Sequence, residues 1–209
     1  MSKRTKVVWT ALALSMGSAV SVLAVAGGGA SPTLPTRAIP AAAAVATPAS
    51  LESAFSTESP LDADRWKAIV IYHSGSPYGN AESIGRRHEN LGLQGLGYHF
   101  VVGNGSGLPD GAVELGFRWL RQLPGAHATG PYADWYDQHA IGICLVGHGN
   151  RRPFTRSQMS RLVSLVRVLS RELDIPPDRI YLHSDIASTD SPGWHFPEAS
   201  FREQIASGR

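Results

Sequence analysis

His73 and His183 are the residues best placed to do chemistry. His73 directly follows the apolar run 68–72, and His183 directly follows the apolar run 180–182. Both are therefore expected to project from rigid strand ends toward one cleft. Imidazole is a common zinc ligand, and two ligands on separate rigid elements fix half of a tetrahedral site. Zinc with three protein ligands and an open position lowers the pKa of bound water and polarises a carbonyl, which is the chemistry of metal-assisted hydrolysis. The same histidines also read as polar side chains closing two strands. Spacing alone leaves both readings open.

Other chemistries have weaker signals. Asn104-Gly105-Ser106-Gly107 offers the positive backbone angles of a tight hairpin. As a phosphate loop it lacks both a helix pattern directly after it and a nearby lysine. No serine sits in a Gly-x-Ser-x-Gly elbow, which argues against a serine hydrolase. The single cysteine, Cys144, lies inside the apolar run 141–146. An intramolecular disulfide is thus impossible, and a buried small hydrophobe is expected there. The formal net charge of +2 becomes about −1 without Lys3, Arg4 and Lys6. So neutral a domain is a poor partner for nucleic acid, whose binding rests on phosphate neutralisation.

The elements that must position the histidines are legible as periodicity. Runs at 68–72, 98–102, 141–146 and 180–182 read as strands of a partly buried sheet. Asn80 can cap a helix over about 81–91, which Gly92 stops. Thr155 and Gln158 form a capping-box pattern ahead of Met159, Leu162, Val163, Val166, Leu169 and Leu173, spaced at three and four, and Pro176 and Pro177 end that helix. Strands interleaved with helices predict an α/β fold: a single domain with a mixed central sheet flanked by helices.

The chain opens with Lys3, Arg4 and Lys6, followed by an uncharged apolar run ending in Ala24-Val25-Ala26. Residues 1–26 therefore read as a signal peptide or, since the run is about long enough to span a bilayer, as an N-terminal membrane anchor. Either predicts an exported protein, periplasmic or extracellular, with membrane contact only through that anchor. Residues 27–50 are mostly Ala, Pro, Gly, Ser and Thr with one charge, Arg37. That composition reads as a flexible linker. The functional domain is expected over 51–209.

Five segments occur in a telling order: Ile71-Tyr72-His73-Ser74, Gly97-Tyr98-His99-Phe100-Val101-Val102-Gly103, Gly125-Ala126-His127, Ile141-Gly142-Ile143-Cys144-Leu145-Val146-Gly147, and His183 through Ser191-Pro192-Gly193. Over about Trp66 to Pro197 the chain resembles peptidoglycan recognition proteins and the phage lysozyme-type N-acetylmuramoyl-L-alanine amidases. The resemblance implies the amidase fold, peptidoglycan or muropeptide as partner and, in active members, zinc-dependent hydrolysis of the bond between N-acetylmuramic acid and L-alanine. It implies His73 and His183 as zinc ligands, Tyr98 as the tyrosine assisting attack and Thr189 as an oxyanion stabiliser. His127 and Trp194 fall to the substrate groove.

Ser191 departs from that pattern. It matches the third zinc ligand, a cysteine in most amidases of this group and an aspartate in related enzymes, but it is neutral. Members with serine at this place are commonly binders. The expectation is therefore an exported peptidoglycan-binding protein of amidase ancestry, with an active zinc amidase as the alternative and a partner-binding domain without a glycan site as the third. A rescue of the zinc shell would come from Asp190, or from Asp185, which otherwise reads as a residue orienting a ligand imidazole. Trp119, Tyr132, Trp135, Tyr136 and Trp194 are candidate sugar-facing aromatics, and Arg118 and Arg121 candidate partners for stem-peptide carboxylates.

Overall fold

Parallel strands buried on both faces carry near-continuous apolar sequence, and this chain supplies two. β1 (Ala68–His73) and β4 (Ala140–Leu145) are buried along almost their whole length. The computed structural model describes residues 51–207; the leader and linker expected before them lie outside the described residues. β1 pairs in parallel with β4 on one side and with β5 (Ile180–Leu182) on the other. β4 pairs in parallel with β2 (Phe100–Val102), which is flanked by antiparallel β3 (Val113–Leu115). The order β3-β2-β4-β1-β5 makes a mixed five-stranded sheet, the expected α/β fold class.

Alternation sorts each strand between two cores. Ile69, Ile71, Ile141, Ile143 and Leu145 meet Leu162, Leu165, Val166 and Leu169 of α4 (Arg156–Glu172) on one face. Val70, Tyr72, Cys144 and Val146 meet Ile84 of α1 (Ala81–Asn90), Leu96 and Val101 on the other. The four parallel strands therefore end together. Their carboxyl edge is where open α/β sheets carry their sites. Between these elements run α2 (Phe117–Leu120), α3 (Ala133–His139), α5 (His183–Ile186) and α6 (Glu198–Ala206).

Both expected helix caps form. Asn80 Oδ1 accepts from the Ser83 N–H at 2.8 Å, and the Ser83 hydroxyl accepts from the Asn80 N–H. Thr155 Oγ1 accepts from the Gln158 N–H at 3.0 Å while Gln158 Oε1 accepts from the Thr155 N–H. Gln158 then donates through Nε2 to the carbonyls of Val102 and Val146, so this cap also ties α4 to two strand ends. Thr155→Ala is expected to cost about 1 kcal/mol, read as a lower urea midpoint at unchanged slope, with Thr155→Ser restoring most of it.

The expected tight hairpin is corrected. β2 and β3 are joined by residues 103–112, a longer loop in which Gly105 (φ 88°) and Gly107 (φ 92°) take the left-handed angles. A Cβ on Gly107 would lie 2.9 Å from the Gly79 carbonyl oxygen, so this loop packs against the one entering α1. Strand ends differ by a residue or two: β1 includes His73, and β2 starts at Phe100.

Candidate functional site

The carboxyl edge of β1 and β5 brings three predicted residues together. His73 is the last residue of β1, and His183 is the first of α5, directly after β5. Ser191 lies between them: its hydroxyl accepts the His73 N–H at 3.1 Å, and its carbonyl accepts the Ser184 N–H at 2.8 Å. The Thr189 hydroxyl accepts from the Ser191 N–H at 3.3 Å, which makes it part of this loop. Tyr72 carries the site inward, with its ring 4.5 Å from His183 and 5.1 Å from Tyr98.

Each imidazole presents one nitrogen. His73 Nδ1 is 2.8 Å from the Pro192 carbonyl, which can only accept. The Gly149 N–H approaches the same nitrogen at 3.2 Å. Only one of these bonds can form; the shorter one puts the proton on Nδ1 and leaves the Nε2 lone pair outward. His183 Nε2 is engaged by the Thr129 hydroxyl at 3.0 Å, which leaves Nδ1 without a hydrogen bond among the described residues. Burial, reinforced by His148 nearby, lowers the His73 pKa, and burial with the field of His73 pushes His183 down to about 4. Both rings are neutral at pH 7, the form in which imidazole binds a metal.

Two loops hold this corner in register. Gly149 passes so close to the Pro192 carbonyl that a Cβ would sit 2.0 Å from its oxygen. Asn150 then latches the far side, accepting the Trp194 N–H at 3.0 Å and donating to Asp190 at 3.2 Å. Thr129, Gly149 and Asn150 had no distinguishing sequence signal, since short loops carry no periodicity.

The third donor of a zinc site is missing. Ser191 is neutral and already accepts a backbone N–H. Asp190 is tied to Asn150. Asp185 does not orient an imidazole: from the third position of α5 its Oδ2 accepts the N–H of the N-cap residue Leu182 at 2.8 Å and Arg202 at 3.0 Å. Among the described residues no three His, Cys, Asp or Glu side chains are grouped to hold a metal. Two imidazoles and a hydroxyl do not fit the three-ligand zinc set.

Other assignments are corrected by burial. The His127 side chain is fully enclosed, so its ring does not face a groove. Nε2–H donates to the Ala140 carbonyl at 3.2 Å, and Nδ1 accepts from the Tyr72 hydroxyl at 2.8 Å. Asp137 lies 3.6 Å from Nδ1 but accepts the backbone N–H groups of His127 and Ala128, and desolvation prevails, taking the pKa to about 4. Trp119 is wholly buried against Phe100 and Trp66. Trp135 faces a concavity with Asp64 and Lys67, beside the opposite edge of the sheet. Arg118 donates to the carbonyls of Leu96 and Pro124, and Arg121 pairs with Glu58. Tyr136 packs edge-on to Tyr181. Trp194 remains an open aromatic face, 78% exposed, beside the Ser191 loop. Tyr98 is half-buried, and burial raises its hydroxyl pKa well above the ordinary tyrosine value, so it can act only as a neutral donor or acceptor.

Residues 62–194 match the profile of the N-acetylmuramoyl-L-alanine amidase family. The chain belongs to that family. The matched segment holds every residue of this corner, from His73 to Trp194. An endolysin of Enterobacteria phage T3 is 30% identical over 138 residues, which is 61% of this chain and 81% of the phage protein. The solved N-acetylmuramoyl-L-alanine amidase LysC of Clostridium intestinale URNW superposes with a TM-score of 0.59 at 26% identity, over 72% of this amidase-family chain and 92% of the other. Apis mellifera PGRP-SA superposes at 0.53 and 21% identity, over 68% of this chain and 82% of its own, a likeness of fold.

Proposed function

We propose that this member of the amidase family is an exported peptidoglycan-binding protein that holds muropeptides at the carboxyl edge of its sheet without cutting them. The observation carrying this reading is Ser191, whose neutral hydroxyl stands between His73 and His183, accepts the His73 N–H, and supplies no anionic donor. Without an anionic or imidazole third donor, zinc affinity falls at least as far as the roughly 10 to 100-fold that lost outer contacts cost. Trp194 offers an apolar face for a sugar ring, and the Thr189 hydroxyl, beside Ser191, can meet a polar group of the ligand. The leader at 1–26 would deliver the domain, 51–209, through the membrane, with the linker at 27–50 spacing it from any uncleaved anchor. Among the described residues no helix is long and apolar enough to cross a membrane.

A working amidase is the competing reading, and the assembled pair of neutral imidazoles favours it. Metal content and muropeptide turnover of the purified protein separate the two. Saturable muropeptide binding with no stoichiometric zinc and no cleavage supports the binder. Stoichiometric zinc with chelator-sensitive cleavage sinks it, and failure to bind muropeptides sinks both.

A further inference from the structure

Arg118 and Arg121 are spent on carbonyls and on Glu58, which leaves open what would meet an acidic ligand at this corner. Arg87 answers the description. It lies in the last turn of α1, and its Nη2 donates to the Ser74 carbonyl at 2.7 Å, one residue beyond His73. Its neighbour Arg86 is paired with Glu82, whereas Arg87 is paired with no carboxylate among the described residues. The adjacent His88 places α1 against the site, its ring 5.2 Å from that of Tyr98. The field of Arg87 also reaches the Tyr98 hydroxyl and the Cys144 thiol, lowering both against the larger effect of burial.

A guanidinium has five N–H donors in a rigid fork, and here one is used to fix its position. The remaining donors match the two oxygens of a carboxylate. We infer that Arg87, tethered to the Ser74 carbonyl beside His73, anchors a carboxylate on the peptide stem of a muramyl peptide and gives the site a preference for the acid over its amide. This rests on the muropeptide-binding reading above and adds which ligand chemistry the site selects. Arg87 acts as a specificity residue; no proton or bond changes hands.

Calorimetric titration of the wild-type protein with N-acetylmuramoyl-L-alanyl-D-glutamate, and with the analogue whose glutamate α-carboxyl is an amide, tests it without any variant. The acid is expected to bind roughly 10-fold more tightly, the worth of a hydrogen-bonded charge. Arg87→Gln should bring the two ligands to the same affinity, and Arg87→Lys should keep part of the preference. Equal binding of acid and amide by wild type overturns the inference and leaves the binding function standing, as does a preference that survives Arg87→Gln in a protein with unchanged melting temperature. Binding of neither ligand overturns both.

Discussion

Ser191→Cys raises zinc affinity by at least about 100-fold, the expected result of restoring an anionic donor between two imidazoles that are already neutral. Serine and cysteine differ by one atom, and Ser191 is only 6% exposed, so the surroundings fix where the new sulfur goes. The backbone on either side is held by the Ser184 N–H on the Ser191 carbonyl and by the Thr189 hydroxyl on the Ser191 N–H, neither of which the substitution touches. A thiolate beside a metal and two neutral histidines is stabilised as the anion. The measurement is competition against a chromophoric chelator, with zinc counted per chain after dialysis. In a cobalt-loaded sample, sulfur-to-cobalt charge-transfer absorption should appear in the variant and not in wild type. Equal zinc retention by the two proteins would show that Ser191 is not the deficit, and the binder reading would lose its main support.

Sequence periodicity located the elements that carry the site better than it located the side chains. The strand ending at His73 follows from a long apolar run, the one ending at Leu182 from a shorter run of three consecutive apolar residues, and the helix begun by Thr155 from a capping box and its apolar period, and all three form. β3 has three half-buried residues, too short for alternation to register, and α3 (Ala-Asp-Trp-Tyr-Asp-Gln-His) has no buried residue at all. α6 buries only Phe201 and Ile205, one pair four apart. Among site residues, His73, His183 and Ser191 are reachable from sequence because two strand ends and the family pattern fix them. The span of the resemblance, about 66–197, agrees with the matched segment 62–194. His127 shows the limit of that route. Its place in the pattern suggested a groove, whereas its neighbours Tyr72 and Ala140 enclose it, and enclosure is a tertiary property. Arg87 was missed for the converse reason: a charged residue on a polar helix face has no sequence mark of its own, and only the Ser74 carbonyl shows where its guanidinium rests.

The buried histidines make stability fall as pH drops from about 6.5 toward 4. His127 and His99 are enclosed and hydrogen-bonded as neutral rings: His99 Nδ1 accepts the Gly142 N–H at 2.9 Å and its Nε2–H donates to Leu123. Desolvation depresses both pKa values, that of His127 to about 4 and that of His99 well below its ordinary value. In the unfolded chain both regain a pKa near 6.5. Between the two values the unfolded state binds more protons than the folded state, so stability increases with pH across that window and levels off above it. For His127 alone the full window is worth about 3 kcal/mol, at 1.36 kcal/mol per pH unit. His99 adds in the same direction, and with its ring 5.4 Å from that of His127, a proton on one opposes a proton on the other. His73, His88 and His183 lean the same way, so several protons are taken up on unfolding near pH 5.5. Few carboxylates titrate above pH 5, which leaves the interval from 6.5 to 5 to the histidines. Urea melts at half-unit steps should show the loss there, and His127→Gln should remove up to about 1.4 kcal/mol per pH unit from the slope. A stability that is flat from pH 7 to 5, or a slope unchanged by His127→Gln, would mean that these rings are not held neutral by the fold.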